Sequence, residues 1–333
     1  MCRNLFLVLI VITLFSCKST EPVKLFGEAQ GTYYSIIYYD DQQRDFQIEI
    51  DSLLDAFDQS VSLWVPNSII SKVNKNDKSV RIDKFFTDNF LISQQVSRET
   101  DGAFDMTIGP LVRAWGFGYD GTKKVDPIII DSLLQIVGYR SVDLFKNVVI
   151  KKNSNTKIDF NAVAQGYSVD IVADFLKSKN LTSFLIDIGG EVTAIGTKPN
   201  GDFWKVGIEK PSKKADDKRD LNGVVKLIDK SIATSGNYRK FVEIDGKRFS
   251  HIINPKTGYP AEHSLLSATV ISDNTAFADA YATACMILGI EKAKEFIESR
   301  DDLEAFFIYT DEKGNYQDYG TSGFNKLIIN DFN

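Results

Sequence analysis

An α+β fold of mixed helices and largely antiparallel sheet is what the sequence predicts, and three observations carry it. Strand-like and helix-like segments alternate without the even βαβ rhythm of a doubly wound sheet. From Ser183 onward the chain is dense in short β-branched and aromatic runs. No internal repeat and no Pro/Ser-rich linker divides the 333 residues.

The elements follow in order. Residues 1–16 join Arg3 to an apolar run from Leu5 to Phe15, too short to span a bilayer comfortably, and read as a signal peptide. Leu14-Phe15-Ser16-Cys17 has the form of a bacterial lipobox, in which the sulfur of Cys17 is lipidated and cleavage precedes it. An ordinary signal peptide with an incidental cysteine is the alternative. Residues 17–30 then form a tether, and 31–333 the folded body, held on a membrane of the bacterial cell envelope and facing the periplasm or exterior. Cys2 and Cys17 fall in the leader, so Cys285 is alone and no disulfide framework exists.

Gly31 to Tyr39 is β-branched and aromatic throughout and reads as a strand. Ile48, Leu53, Leu54 and Phe57 recur at helical spacing behind Asp45, a candidate cap, and a second helix fits Thr87 to Thr100. Gly102 to Tyr119, with Pro110, Trp115 and Phe117, reads as an ordered loop. Residues 163–180 place Val163, Tyr167, Ile171, Val172, Phe175 and Leu176 on one helical face. Strands are expected at 184–188, 192–196, 203–209, 224–228, 241–244 and 266–271, and a late one at 305–309. Lys213 to Asp220 is a charged loop, and Thr275 to Leu288 a helix of small apolar residues.

Composition narrows the function. With 43% hydrophobic and 25% charged residues and a net charge of −6 (45 acidic, 39 basic), the chain is globular in character. It lacks a dense Lys/Arg run, which excludes nucleic-acid binding by phosphate neutralisation. Only two histidines, His251 and His263, are present. A three-histidine zinc site is therefore excluded, and any metal must be held largely by oxygen.

Four constellations could carry chemistry. Asp279 and Thr283, four residues apart, share a helix face flanked by Ala276 and Ala280, and their hard oxygens suit magnesium beside a phosphate. Taken alone, the pair better describes a threonine bonded to the preceding helical turn and a solvated aspartate. Asp159-Phe-Asn-Ala-Val-Ala-Gln-Gly166 leads into a helix start, which offers amides to an anion or is a plain helix entry. His251 precedes the turn Asn254-Pro-Lys-Thr-Gly258 and is the candidate general base, whereas His263 reads as structural. Trp64 and, later, Ala103-Phe104-Asp105 offer an aromatic plane and an acceptor for a purine or isoalloxazine ring, although aromatics of this kind more commonly belong to core-building loops.

Together and in this order these motifs resemble the ApbE family, the FAD:protein FMN transferases, from Gly31 to about Gly289. The resemblance rests on Gly31-Thr-Tyr33, Ser60-Val-Ser-Leu-Trp64, Gly102-Ala-Phe-Asp-Met-Thr-Ile-Gly-Pro110, Trp115-Gly-Phe117, Asp159 to Asp170, Ile188-Gly-Gly-Glu191, Ala233-Thr-Ser-Gly236, Ser250-His-Ile-Ile-Asn-Pro-Lys-Thr-Gly-Tyr-Pro260 and Ala278-Asp-Ala-Tyr-Ala-Thr283. It implies an ApbE-like fold over 31–333 and transfer of FMN from FAD to a threonine hydroxyl of a partner protein, with AMP released. It also implies magnesium held by Asp279, Thr283 and the Ala162 carbonyl. FAD is implied to contact Gln30, Trp64, Ala103, Phe104, Asp105, Phe160, Gln165 and Ile253, with His251 as base. The acceptor it implies is a flavin-carrying protein, such as a subunit of a membrane redox complex. Two departures stand out: Gln165 where many members have Lys, and Asn254 where many have Asp. A magnesium-dependent FAD pyrophosphatase and a membrane-tethered FAD-binding protein without turnover are the rival readings.

Overall fold

The computed structural model describes residues 21–117, 126–210, 221–237, 241–244 and 247–329. The leader, Cys17 and the charged loop 213–220 lie outside those residues.

The chain opens on a hairpin of β1 (Val23–Ala29) and β2 (Thr32–Tyr38), turned at Gln30 and Gly31, whose φ angles of 55° and 75° suit a two-residue hairpin turn. Half of the expected tether, residues 23–29, is thus strand. The sequence concealed β1 because only Leu25 in it is fully buried, so its apolar alternation is weak. Helices α1 (Gln47–Val61), α2 (Ile69–Asn74), α3 (Lys84–Glu99), α4 (Gly109–Ala114) and α5 (Pro127–Leu134) follow. Ser68, Asp83 and Asp126 cap α2, α3 and α5 by accepting bonds from Ser71, Phe86 and Ile128 amides. The expected loop at 102–119 contains α4, one turn and a half begun by Gly109 and Pro110, where proline costs no helical hydrogen bond.

After the hairpin β3 (Val142–Phe145) and β4 (Val148–Lys151) come α6 (Ala164–Ser178), β5 (Phe184–Ile188), β6 (Glu191–Ile195), β7 (Trp204–Glu209), β8 (Leu221–Leu227), β9 (Lys230–Gly236), β10 (Phe241–Ile244) and β11 (Lys247–Ser250). The chain continues through β12 (Leu265–Ser272), α7 (Thr275–Leu288), α8 (Ile290–Glu298), β13 (Glu304–Thr310), β14 (Tyr316–Gly320), α9 (Ser322–Leu327) and β15 (Ile328–Ile329). The main sheet has eight strands in the order β1-β2-β5-β6-β9-β12-β13-β14, and every neighbouring pair is antiparallel. This is the α+β architecture that the sequence predicts.

Both faces of the sheet are covered, as the period-two pattern of its strands requires. On β13, Ala305 and Phe307 join the helical side with Met286 and Phe90, while Phe306 and Ile308 pack on the other side with Trp204, Val225 and Phe324. Helices α1 and α6 cover β2 and β5 through Tyr34, Ile36, Leu54, Val172 and Phe184. The opposite face carries the small sheet β15-β8-β7 and α9. Packing of α6 against α7 decides where functional groups meet, and it is set by Gly166. A Cβ there would lie 2.5 Å from the Thr275 carbonyl oxygen and 2.9 Å from the Ala276 Cα, so only glycine allows the two helix starts to touch.

Candidate active site

The starts of α6 and α7 are stitched together by carboxylates. Asn274, the N-cap residue of α7, makes no side-chain cap bond. Instead Asp170, from α6, accepts the Thr275 and Ala276 amides at 2.8 and 2.9 Å. Burial pushes the Asp170 carboxyl up to about 6 despite these bonds. In return, Asp279 from α7 accepts the Gly166 amide at 3.2 Å.

That last bond has a structural consequence. In a regular helix the amide of Gly166 would donate to the carbonyl of Ala162, four residues back. Here it donates to Asp279 instead, and among the described residues no hydrogen bond reaches the Ala162 carbonyl. Asp279 is 9% exposed, and burial pushes its carboxyl up to about 7, with the charge of Asp170 adding to the effect. One turn further along α7, the Thr283 hydroxyl lies 3.5 Å from that of Ser235 at the end of β9. The chain therefore brings a buried carboxylate to an unpartnered carbonyl at the start of α6, with a hydroxyl one turn further along α7. These are hard oxygen donors, the set that magnesium takes, and the uncompensated charge on Asp279 is what a cation would relieve. Ala162, Asp279 and Thr283 thus fit such an ion. Among the described residues no group of three His, Cys, Asp or Glu side chains could hold a metal.

Glu191, at the start of β6, adds a second carboxylate. Gln165 donates its amide to Glu191 and, at 3.0 Å, to the Ile188 carbonyl. Burial raises the Glu191 carboxyl well above its usual range, and the charge of Asp279 raises it further. Gly189, at φ 66°, makes room for the Gln165 side chain, which would otherwise meet a Cβ. Among the described residues no ion pair reaches Asp170, Glu191 or Asp279. Gln30 completes this corner: its Oε1 accepts the Ser168 hydroxyl at 3.3 Å, and its Nε2 is buried without a partner. Sequence reasoning gave Glu191 no role. The adjacent glycines Gly189 and Gly190, both at positive φ, were the available signal of a tight approach there.

The remaining predicted residues divide by what they can present. Trp64 is 58% exposed on the segment between α1 and α2. Phe104 and Phe160 are core residues, Phe160 meeting Phe86 edge-on at 5.1 Å, and what they can offer a ligand is backbone. Asp105 is buried, and both oxygens hold its own loop: Oδ1 accepts the Thr107 amide and hydroxyl, and Oδ2 the Tyr139 amide. Its neighbour Ala103 is buried beside it. Burial nonetheless raises the Asp105 carboxyl. Ile253 is buried with Leu111, Trp115 and Ile130 and bridges Pro260 across the turn. Asn254 Oδ1 accepts the Lys256 amide, and Trp115 donates to the Gly258 carbonyl at 2.7 Å, fixing the loop that carries His251. The His251 ring is half-buried, with Phe117 edge-on at 6.2 Å. His263 accepts the Leu265 amide through Nδ1 and meets the Met286 carbonyl through Nε2 at 2.6 Å, a structural tie to the end of α7.

With this geometry in view, comparison with known proteins is decisive. The model of the ApbE family matches residues 30–307. The chain belongs to the ApbE family. The FAD:protein FMN transferase of Vibrio cholerae serotype O1 is 32% identical over 320 residues, covering 93% of this chain and 94% of the relative. That of Buchnera aphidicola subsp. Schizaphis graminum is 33% identical, with 98% of each chain covered. Among solved structures, the flavin transferase ApbE from Vibrio cholerae superposes with a TM-score of 0.81 at 30% identity, covering 92% of this chain and 99% of that one. The apo form of Pseudomonas stutzeri flavinyl transferase ApbE gives 0.83 at 29% identity, covering 94% and 98%. The ApbE-like fold expected from the motifs is therefore the fold of this chain.

Proposed function

We propose that this chain is an FAD:protein FMN transferase that moves FMN from FAD to a threonine hydroxyl of an acceptor protein. The observation that carries the magnesium part of this reading is the diversion of the Gly166 amide to Asp279, which leaves the Ala162 carbonyl unpartnered beside a buried carboxylate. Ala162, Asp279 and Thr283 would hold the ion. When bound, magnesium supplies positive charge against the diphosphate of FAD.

The protein's own groups do the rest. Trp64 offers a stacking face, and the Gln30 amide a buried donor, for the ring systems of FAD. His251 accepts the proton of the acceptor threonine as its oxygen attacks the FMN phosphorus; the bond to the AMP phosphate breaks, and AMP leaves with the electron pair. The loop around Asn254 and Gly258, pinned by Trp115, holds the imidazole in place for that transfer. Asp105 contributes by fixing the segment 103–107 and not as a proton acceptor, because both oxygens already accept bonds.

The test is to incubate the protein with FAD and magnesium, with and without a flavin-acceptor protein, and to follow AMP, free FMN and protein-bound flavin. Acceptor-dependent AMP with stoichiometric bound flavin is expected. AMP and free FMN at the same rate without acceptor would make the enzyme an FAD pyrophosphatase, and FAD retained intact would make it a binding protein.

A further inference from the structure

Adjacent residues of one helical turn hold two carboxylates from different elements. Gln165 grips Glu191 through its side chain, and Gly166 grips Asp279 through its amide. Consecutive residues of α6 thus bring the two acids to the same helix start, and neither has an ion-pair partner among the described residues. A buried, unpaired carboxylate is costly unless a cation is near. Gln165 is neutral, so it orients Glu191 without cancelling its charge.

We propose that Glu191 is a positioning residue of the cation site, supplying a second negative charge to the ion held at Asp279, and that Gln165 keeps this charge available by orienting it with a neutral amide. The inference rests on the metal reading above. Three features of the architecture support it. Glu191 is the first residue of β6, fixed to β5 by its pairing with Ile188. The Ile188 carbonyl accepts the same Gln165 amide group that bonds Glu191, so strand end and helix start are locked together. The glycine at 189 exists in a geometry that admits this side chain, since a Cβ there would collide with Gln165.

The experiment measures Mn2+ affinity without FAD, by titration calorimetry and by the loss of the free-ion electron paramagnetic resonance signal. The proteins compared are the wild type, Glu191→Gln, Gln165→Lys and Asp279→Asn. Loss of a partner that tunes a ligand from behind costs about 10- to 100-fold in metal affinity. Glu191→Gln should weaken Mn2+ binding by about that factor, and Gln165→Lys should do so too, because it places a competing cation on Glu191. Thermal unfolding supplies a readout independent of turnover. Metal-free Glu191→Gln should be at least as stable as wild type, because a carboxylate repelling Asp279 is gone, while the stabilisation conferred by Mg2+ shrinks. Wild-type Mn2+ affinity in both Glu191→Gln and Gln165→Lys, with binding lost in Asp279→Asn, would overturn the role of Glu191 and leave the metal reading standing. Unchanged affinity in Asp279→Asn would overturn the metal reading itself. If Glu191→Gln does not fold, Gln165→Lys decides alone: unchanged affinity there overturns the proposal.

Discussion

His251 is one of two histidines, and the structure gives the two different surroundings. His263 is tied at both ring nitrogens to backbone groups, and the His251 ring stands beside Phe117 on a loop that Trp115 fixes through the Gly258 carbonyl. His251→Ala should therefore leave the FAD dissociation constant nearly unchanged while lowering the single-turnover flavinylation rate by about two to four orders of magnitude. Normal binding with a wild-type rate would show that the proton leaves by another route. A second residue-scale expectation concerns Asp58 on α1, whose carboxyl is pushed up to about 6 by burial, with Asp55 one turn away adding to it. Its folded value lies above its unfolded one, so ionising it costs stability. That cost is absent below about pH 4 and complete above about pH 6. Asp58→Asn should match wild type at pH 4 and exceed it by about 1 kcal/mol at pH 7, a modest gain because solvent screens this half-buried group. Melting temperatures across that range check it; a gain that grows toward acid would show the sign to be wrong.

At the scale of elements, the meeting of α6 and α7 is the feature on which the site depends. Gly166→Ala puts a methyl group into the Thr275 carbonyl and the Ala276 backbone, neither of which can turn aside as a side-chain end can. Overpacking of this kind costs about 1–3 kcal/mol, and it should also break the bond from residue 166 to Asp279. A lowered melting temperature together with weakened Mn2+ binding is expected; stability and binding equal to wild type would show that the helices tolerate a wider spacing. The same contact explains what could be read from the sequence and what could not. Asp279 and Thr283 were legible because four residues on a helix is a short-range relation, and α7 itself reads as a helix from its run of small apolar residues, buried on nearly every side. The expected strand at 184–188 matches β5 because its alternation is sharp, Phe184, Ile186 and Ile188 facing α6. Glu191 had no legible role, because its approach to Asp279 depends on how β6 meets two helix starts distant in sequence. β1 escaped notice for a related reason: an edge strand with one buried side chain carries little pattern, and its identity comes from pairing with β2. Phe160 comes into the FAD site by the family resemblance alone, and its ring, like that of Phe104, is part of the core.

For the molecule as a whole, the open question is where it works. No helix among the described residues is long and apolar enough to cross a membrane. The attachment proposed here is chemical, through a lipid on Cys17 at the end of Leu14-Phe15-Ser16-Cys17. Since β1 begins at Val23, five residues separate that cysteine from the sheet. Even fully extended they span only about 18 Å. A lipidated Cys17 would thus hold the β1 edge of the sheet close to the bilayer, where an acceptor domain of a membrane complex is met at high effective concentration. Cys17→Ser should move the protein from the membrane fraction to the soluble one. It should leave flavinylation of a soluble acceptor within about twofold of wild type, because every residue assigned to chemistry lies at or beyond Gln30, and slow flavinylation of a membrane-bound acceptor, because only the effective concentration is lost. Mass spectrometry of the native N-terminus decides the premise: a diacylglyceryl-modified Cys17 as first residue is expected, and an unmodified Cys17 or a retained Leu5 to Phe15 segment would remove the anchor from the account.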